Sequence, residues 1–352
     1  MGYQDGWSAI HMEMPGVVPR TEYSAEFHWP LIESVTGISG LESGDSTTRS
    51  KASREFVEAW DYAFMWSTLI GADDFGSIRT RMGHAVYMSG AEDWDENRSQ
   101  AFATPDEVLA FRPLESLPAV DRQAARIRFE QHYESNRASL PSLVNMTGVY
   151  VTCVSGLIDL FGWQLLLEAH GDDPVRMGDL TNEYCRWLEP YFEALAESNV
   201  QVVMVHDDCV WSSGAIFHPD WYRRYVFPNY RRLIEPLRAA GKRILFTADG
   251  DYTMFVDDIA DCGVSGFVME PWTDMQLVAE RYGKTHVIVG NADTRILLSG
   301  SMDAIEREVA RCMSIGKSCP GFVLAVGNHI PPNTPVENAL HYDACYRSMR
   351  NR

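Results

Sequence analysis

The chain predicts an α/β fold, a closed (β/α)8 TIM barrel, and three observations carry that prediction. From residue 148 onward short apolar runs alternate with helix-length segments: VYVTCV (149–154), VQVVMV (200–205), RILFTA (243–248), GFVME (266–270), HVIVG (286–290) and GFVLAVG (321–327). Alternation on this scale calls for parallel strands joined by helical crossovers, and eight such units close a barrel. Runs such as VQVVMV and HVIVG carry consecutive apolar residues, VVMV and VIV, rather than one at every second position, as strands covered on both faces require. Five of the runs hand polar residues to their C-terminal ends, in HDDC, DGDY, EPW, NADTR and NHIPPN, and that end of a barrel is where its site is built.

Taken in order, residues 1–52 are rich in Gly, Pro, Ser and aromatics without a sustained period, so they read as an N-terminal arm or lid packed on a barrel spanning 53–352. From Ser53 the spacing of Phe56, Ala59, Trp60 and Phe64 is helical, and AFMWSTLI and HAVYMSG follow as the first two strands. An insertion around 90–140 combines a polar, Pro-containing stretch (90–118) with a charged amphipathic helix over 120–138, the kind of segment that shapes a pocket's mouth. Helices are then expected from 157 and over 176–197, 219–240, 253–262, 273–283, 303–316 and 335–350. His218-Pro219-Asp220 and Thr334-Pro335 mark helix starts, because proline in the first turn gives up an N–H that would be orphaned anyway.

Composition narrows the function. A net charge of −19 over 352 residues disfavours nucleic acid as a partner, since polyanion binding needs a positive field. Seven scattered cysteines without a C-x-x-C pair suggest reduced thiols rather than disulfides or a zinc ribbon. There is no signal-like N-terminus and no run of 18 apolar residues, so the expectation is a soluble, cytoplasmic protein with no membrane contact. No G-x-x-x-x-G-K, no G-x-G-x-x-G after a strand and no G-x-S-x-G occurs, which disfavours nucleotide and serine-hydrolase chemistry.

The strand ends supply the candidate residues. His206, Asp207 and Asp208 follow VQVVMV directly, and alternation along the strand sends some inward and others outward. Asp249 precedes a glycine that lets the loop turn and aim it. Glu270 closes its strand before Pro271 and Trp272; in an apolar mouth its carboxyl would rise in pKa and suit a proton donor, while an ion pair with Arg295 is the competing reading. Asn291 and Asn328 offer neutral hydrogen bonds to a substrate oxygen, and Asp207 and Trp272 complete the expected lining. Near the N-terminus Glu22, Tyr23, Glu26, His28 and Trp29 form a dense cluster, either a lid over a flat substrate, with His28 in contact, or a packed arm.

The stretches HDDCVWSSGAIFHPDWYRRYVFPNYRRLIEPL, FTADGDYTMFVDDIADCGVSGFVMEP, GNADTRILLSG and GNHIPPNTPVEN, in this order and spacing, resemble the uroporphyrinogen decarboxylase superfamily over roughly residues 145–350. That superfamily contains porphyrinogen decarboxylases and cobalamin-dependent methyltransferases, so the resemblance implies a fold and leaves two chemistries. The H-x-C pair and the Cys beside I-P-P that hold zinc in its thiol-directed methyltransferases are Thr247, Asp249 and Asn328 here. The E-x14-E-x20-H zinc pattern associated with aryl methyl ether demethylases is matched by Asp293, Glu308 and His329, with Asp for the first Glu; a helix-edge role for Glu308 is the plainer alternative. The arginine-rich R-Q-A-G-R-Y type motif of the decarboxylases is missing.

What the resemblance implies is a methyltransferase that demethylates a small aromatic methyl ether and passes the methyl group to the Co(I) of a separate corrinoid protein, this chain having no D-x-H-x-x-G motif of its own. In that reading Asp293, Glu308 and His329 hold Zn2+, while His206, Asp208, Asp249 and Glu270 line the pocket and handle protons. A homodimer is a further expectation from the superfamily. The alternatives are a related methyltransferase with another donor or acceptor, a uroporphyrinogen decarboxylase, and a barrel that binds without catalysing.

Overall fold

The structure, a computed structural model, describes residues 2–78 and 101–352. Its strands, in chain order, are β1 (Phe64–Met65), β2 (Val144–Asn145), β3 (Thr147–Val149), β4 (Val202–His206), β5 (Val210–Trp211), β6 (Gly214–Ala215), β7 (Arg243–Ala248), β8 (Gly266–Met269), β9 (Val287–Val289) and β10 (Phe322–Val323). Six of them form one parallel sheet in the order β10-β9-β8-β7-β4-β3. β5 and β6 make a small antiparallel hairpin outside it.

Closure of the ring comes from the N-terminal segment. β2 runs into β3 and pairs in parallel with β1, while Arg20 makes parallel bridges both to Tyr62, ahead of β1, and to Leu324, just after β10. The backbone bonds are Ala63 N–H to Arg20 O at 2.7 Å, Thr21 N–H to Leu324 O at 3.0 Å and Leu324 N–H to Pro19 O at 2.9 Å. The barrel thus has eight staves, of which the stretch around Arg20 is one. Residues 1–52, expected as an arm, therefore also contribute to the wall. Arg20 is completely buried, ion-paired with Asp343 at 2.8 Å and held between the rings of Trp60 and Tyr346.

Side chains alternate across this wall. Phe64, Val144, Met146, Val202, Met204, Leu245, Val268, Val287, Val289, Val323 and Ala325 pack together inside the ring, and their neighbours Val203, Val205, Phe246, Phe267 and Ile288 join the larger core under the helices. Each Val, Leu, Ile, Met or Phe among them contributes about 1.5–3 kcal/mol by leaving water. The helix Tyr3–Ile10 plugs the end of the barrel where the strands begin: Ala9 and Ile10 belong to the inner cluster, and a Cβ on Gly6 would lie 2.5 Å from the Ala63 carbonyl, just before β1. The site end is left open at the opposite rim.

Several element boundaries differ from expectation for identifiable reasons. The helix expected from Ser53 runs Ser46–Ala59, because Asp45 caps it by accepting from Thr47 and Thr48 N–H. VYVTCV is not a strand throughout: β3 ends at Val149 and a helix spans Cys153–Asp172, its start fixed by the Asp207 carboxylate, which accepts from Val154 and Ser155 N–H. AFMWSTLI yields only β1, and HAVYMSG lies outside the described residues. The charged helix of the insertion runs Arg122–Ser139. Of the later helices, 219–240 is divided by a π-helical turn at Tyr222–Val226, and an extra helix, Thr294–Ser299, follows β9. Among the described residues no helix is long and apolar enough to cross a membrane.

Candidate active site

At the rim where β4, β7, β8 and β10 end, a pocket of about 100 Å³, open to solvent on one side, is lined by Tyr23, Tyr150, Met204, His206, Thr247, Ala248, Asp249, Val268, Met269, Gly327, Asn328 and His329. Its floor is apolar, formed by Met204, Val268 and Met269. Two stacked pairs frame it: Tyr150 lies on His206 with ring centroids 3.9 Å apart at 9°, and Tyr23 lies on Trp66 at 4.5 Å and 13°. Among the described residues no lysine or arginine lines it.

The polar side of the pocket is one connected network. His206 donates from Nδ1 to the Tyr150 carbonyl at 2.9 Å and presents Nε2 to Asp208 Oδ1 at 3.1 Å. Both ring nitrogens therefore face acceptors, an arrangement that suits the imidazolium. Burial opposes that charge, but Asp208, reinforced by Asp249, outweighs it and raises the His206 pKa to about 9. Asp208 Oδ1 also accepts from Asp249 N–H at 3.1 Å. The Asn328 amide bridges two acids, donating to Asp249 Oδ2 at 3.2 Å and Glu270 Oε1 at 2.6 Å, while Glu270 Oε2 accepts from Gly250 N–H at 2.6 Å.

Asp249 reaches solvent through the pocket yet sits deep among the strand ends. Desolvation there, then repulsion from Asp208 and Glu270, pushes its carboxyl well above the usual carboxylate range. Glu270 is raised as well, by burial first, against the hydrogen bonds from Asn328 and Gly250. The competing reading, an ion pair between Glu270 and Arg295, is not what forms: Arg295 binds Asp293 at 2.6 Å and covers the Trp272 ring at 4.2 Å.

The expected site residues divide on this geometry. His206, Asp208, Asp249, Glu270, Asn328 and His329 converge at the rim. Asp207 does not: alternation along β4 turns it outward, where it is buried and accepts from two backbone amides and from the Tyr230 hydroxyl. His28 is likewise buried away from the pocket, accepting from Leu31 N–H at Nδ1 and donating from Nε2 to the Thr334 carbonyl. Asn291 is a bracket, donating to the Glu270 and Thr273 carbonyls and accepting from Arg311. Trp272 is exposed in a neighbouring cleft with Arg295, Leu298 and Pro331.

The three residues expected to hold zinc do not fit that ion as a set. Asp293 caps the helix Thr294–Ser299 and is clamped by Arg295, and Glu308 is engaged by Arg311 at 2.7 Å and by Asp293 N–H at 2.9 Å. His329 meets the Ser24 hydroxyl at Nδ1. Among the described residues no group of three His, Cys, Asp or Glu side chains is arranged to hold a metal. The spacing is matched in sequence because Glu308 falls on the helix Met302–Gly316 at the turn that faces Arg311, a pairing the spacing does not reveal.

Tyr150, Thr247 and the apolar floor escaped the expected site, although period-2 alternation from His206 and Asp249 was the signal that could have found Met204 and Thr247. Tyr23, noted within the N-terminal cluster, lines the pocket itself because its backbone forms a parallel bridge with His329 and accepts from Ile330 N–H at 3.1 Å.

The uroporphyrinogen decarboxylase (URO-D) family profile matches residues 108–347, and the chain belongs to that family. Uroporphyrinogen decarboxylase of Thermus thermophilus is 32% identical over 258 residues, which cover 70% of this chain and 71% of that one. The enzyme of the same name from Syntrophotalea carbinolica is 33% identical over 159 residues, so that the match spans 45% of each chain, less than half the length of that relative. Among solved structures, a methyltransferase from Methanosarcina mazei superposes with a TM-score of 0.65 at 16% identity, covering 98% of both chains, a likeness of fold.

Proposed function

We propose that this protein is a methyltransferase that takes the methyl group from a small methoxylated aromatic compound and delivers it to a separate corrinoid protein. The observation that carries the reading is the pocket itself: an apolar floor framed by two aromatic stacks, rimmed by three carboxyl groups and an imidazole, with no lysine or arginine among the described lining residues. A flat, neutral ring with one oxygen substituent suits such a slot.

The chain's own residues bind, orient and move a proton. The methyl ether lies over Met204, Val268 and Met269, with its oxygen toward the acids. Expelling an unprotonated phenoxide, whose conjugate acid has a pKa of about 10, is slow, so the departing oxygen needs a proton. Asp249, whose carboxyl is raised well above the usual carboxylate range, supplies it; Asn328 holds that carboxyl by donating to Oδ2, and Asp208 holds the residue by accepting from its backbone N–H. The corrinoid, carried in by the partner protein, supplies the nucleophile that accepts the methyl group. Asp293, Glu308 and His329 are left out of this mechanism, their donor geometry being committed elsewhere.

Single-turnover reaction of the purified protein with a panel of neutral methoxybenzenes and reduced corrinoid protein tests the reading: one equivalent of phenol per site is expected, with a fall of about 100-fold or more in Asp249→Ala. Loss of CO2 from uroporphyrinogen, with no phenol from any ether, would instead establish the second reading, which the 32% identity to the Thermus thermophilus decarboxylase favours. That reading has to accommodate a polyanionic substrate at an acidic rim, since Arg20, the arginine nearest in sequence to the N-terminal cluster, is buried in its pair with Asp343.

A further inference from the structure

Two hydroxyl groups at the pocket have no hydrogen-bond partner among the described residues: Tyr23 Oη and Thr247 Oγ1 are both buried and both belong to residues that line the cavity. A buried hydroxyl without a partner is destabilising and calls for an explanation, and for two that line one cavity a ligand that satisfies them supplies it. Tyr23 is also held with unusual care. Its ring is stacked on Trp66, meets the edge of His329 at 6.5 Å, and its backbone is bridged to His329. The next residue, Ser24, adopts the left-handed conformation at φ 59° and places its hydroxyl on His329 Nδ1. A non-glycine residue in that region is strained, and here the strain fixes the approach of the N-terminal segment to the pocket.

We propose that Tyr23 donates a hydrogen bond to the substrate oxygen that leaves with the aryl group, with Thr247 on the same oxygen or its ring neighbour; this rests on the demethylase reading above. In the step, the methyl C–O bond breaks, its electron pair stays on oxygen, and the methyl group goes to the reduced corrinoid of the partner protein. The proton that the oxygen takes comes from Asp249, and Tyr23 keeps its own. Burial above all holds the Tyr23 phenol well above its ordinary value, so passing its proton to a phenoxide of ordinary basicity is uphill. A donor that stays neutral while charge develops on the oxygen contributes most in the transition state. Tyr23 is therefore a catalytic residue by hydrogen bonding.

Tyr23→Phe keeps the ring and its stack on Trp66, so the fold is expected to survive. Two measurements decide the matter: single-turnover demethylation across methoxyarenes of graded phenol pKa, and binding of 4-nitrophenol to the protein alone, followed by its absorbance. Expected is a rate loss of about 100-fold for ethers of weakly acidic phenols, shrinking as the leaving phenol becomes more acidic, together with about tenfold weaker nitrophenol binding. A merely structural role would slow all ethers equally. If wild type binds nitrophenol through Tyr23 but demethylates nothing, the demethylase reading falls and the oxygen-binding role of Tyr23 stands. If the variant matches wild type in rate and binding, or slows every ether alike, the inference is overturned; a wild type that neither binds nitrophenol nor forms phenol overturns both.

Discussion

Replacing Asp208 by Asn should change how the protein's stability depends on pH, and the size of the change follows from the His206 pair. His206 is nearly inaccessible, and Asp208 Oδ1 lies 3.1 Å from its Nε2. Against the desolvation that disfavours charge, the pair lifts the imidazole from 6.5 to about 9. At about 1.4 kcal/mol per pKa unit this comes to on the order of 3 kcal/mol of linked stability. Because the folded value is above the unfolded one, that contribution is complete below pH 6.5 and is lost as pH rises through about 9. In Asp208→Asn the amide oxygen still accepts from Asp249 N–H, but the charge is gone and burial dominates. The loss between pH 6.5 and 9 should then largely vanish, and any dependence from His206 should move to lower pH with the opposite sign. NMR titration of the His206 ring protons, together with urea unfolding from pH 5.5 to 9.5 in both proteins, provides the assay. A wild-type His206 that titrates at or below 6.5, or a variant whose stability falls as steeply as wild type across this window, would refute the reasoning.

Three further outcomes are expected. Asp249→Asn should raise the urea midpoint at pH 8, since it removes a carboxyl crowded by Asp208 and Glu270, while phenol formation falls in single-turnover assays; a lower midpoint would contradict the repulsion. Glu308→Gln should cost about 1–3 kcal/mol by unfolding, discounted because its partner Arg311 is 39% exposed, and should leave the metal content of the purified protein, read by mass spectrometry, equal to that of wild type. Gly148→Ala should cost about 3 kcal/mol or more, or prevent soluble expression, because a Cβ there would lie 1.9 Å from the Met204 carbonyl across the β3–β4 pair; a variant with wild-type melting would show that the two strands are not so close.

Where a strand is a continuous apolar run ending in polar residues, the sequence was sufficient to place it, and with it His206, Asp249, Glu270 and Asn328. β4 and β7 are the cases in point, each buried along nearly its whole length and each ending at the pocket. Direction at the strand end was harder to read. His206 and Asp207 are adjacent, and the pleat sends one to the pocket and the other to the Cys153–Asp172 helix, so adjacency on the chain says nothing about which carboxylate is chemical and which is structural. Asn291 and His28 failed for a related reason: their partners, Arg311 and Thr334, are distant in sequence and are brought to them by packing. The same holds for Glu308, whose spacing from Asp293 and His329 was satisfied while its carboxylate was committed to Arg311.

The closing stave was illegible because it is too short to carry a period. Around Arg20 only a few residues join the wall, and its most telling member is a charged side chain buried between two aromatic rings and Asp343. A buried arginine in a region of mixed polarity reads as surface until its partner is known, and Asp343 lies on the last helix of the chain. Yet this stave shapes the pocket. Three residues beyond Arg20 the same segment delivers Tyr23 to the pocket and clamps it to His329, so the two ends of the sequence meet at the rim. Glu22, whose Oε2 accepts from Val326 N–H, fixes that meeting from beneath. The N-terminal segment is thus at once a wall element and a source of pocket residues, and substitutions at Arg20 or Asp343 should disturb catalysis through the position of Tyr23 as well as stability through the barrel's closure.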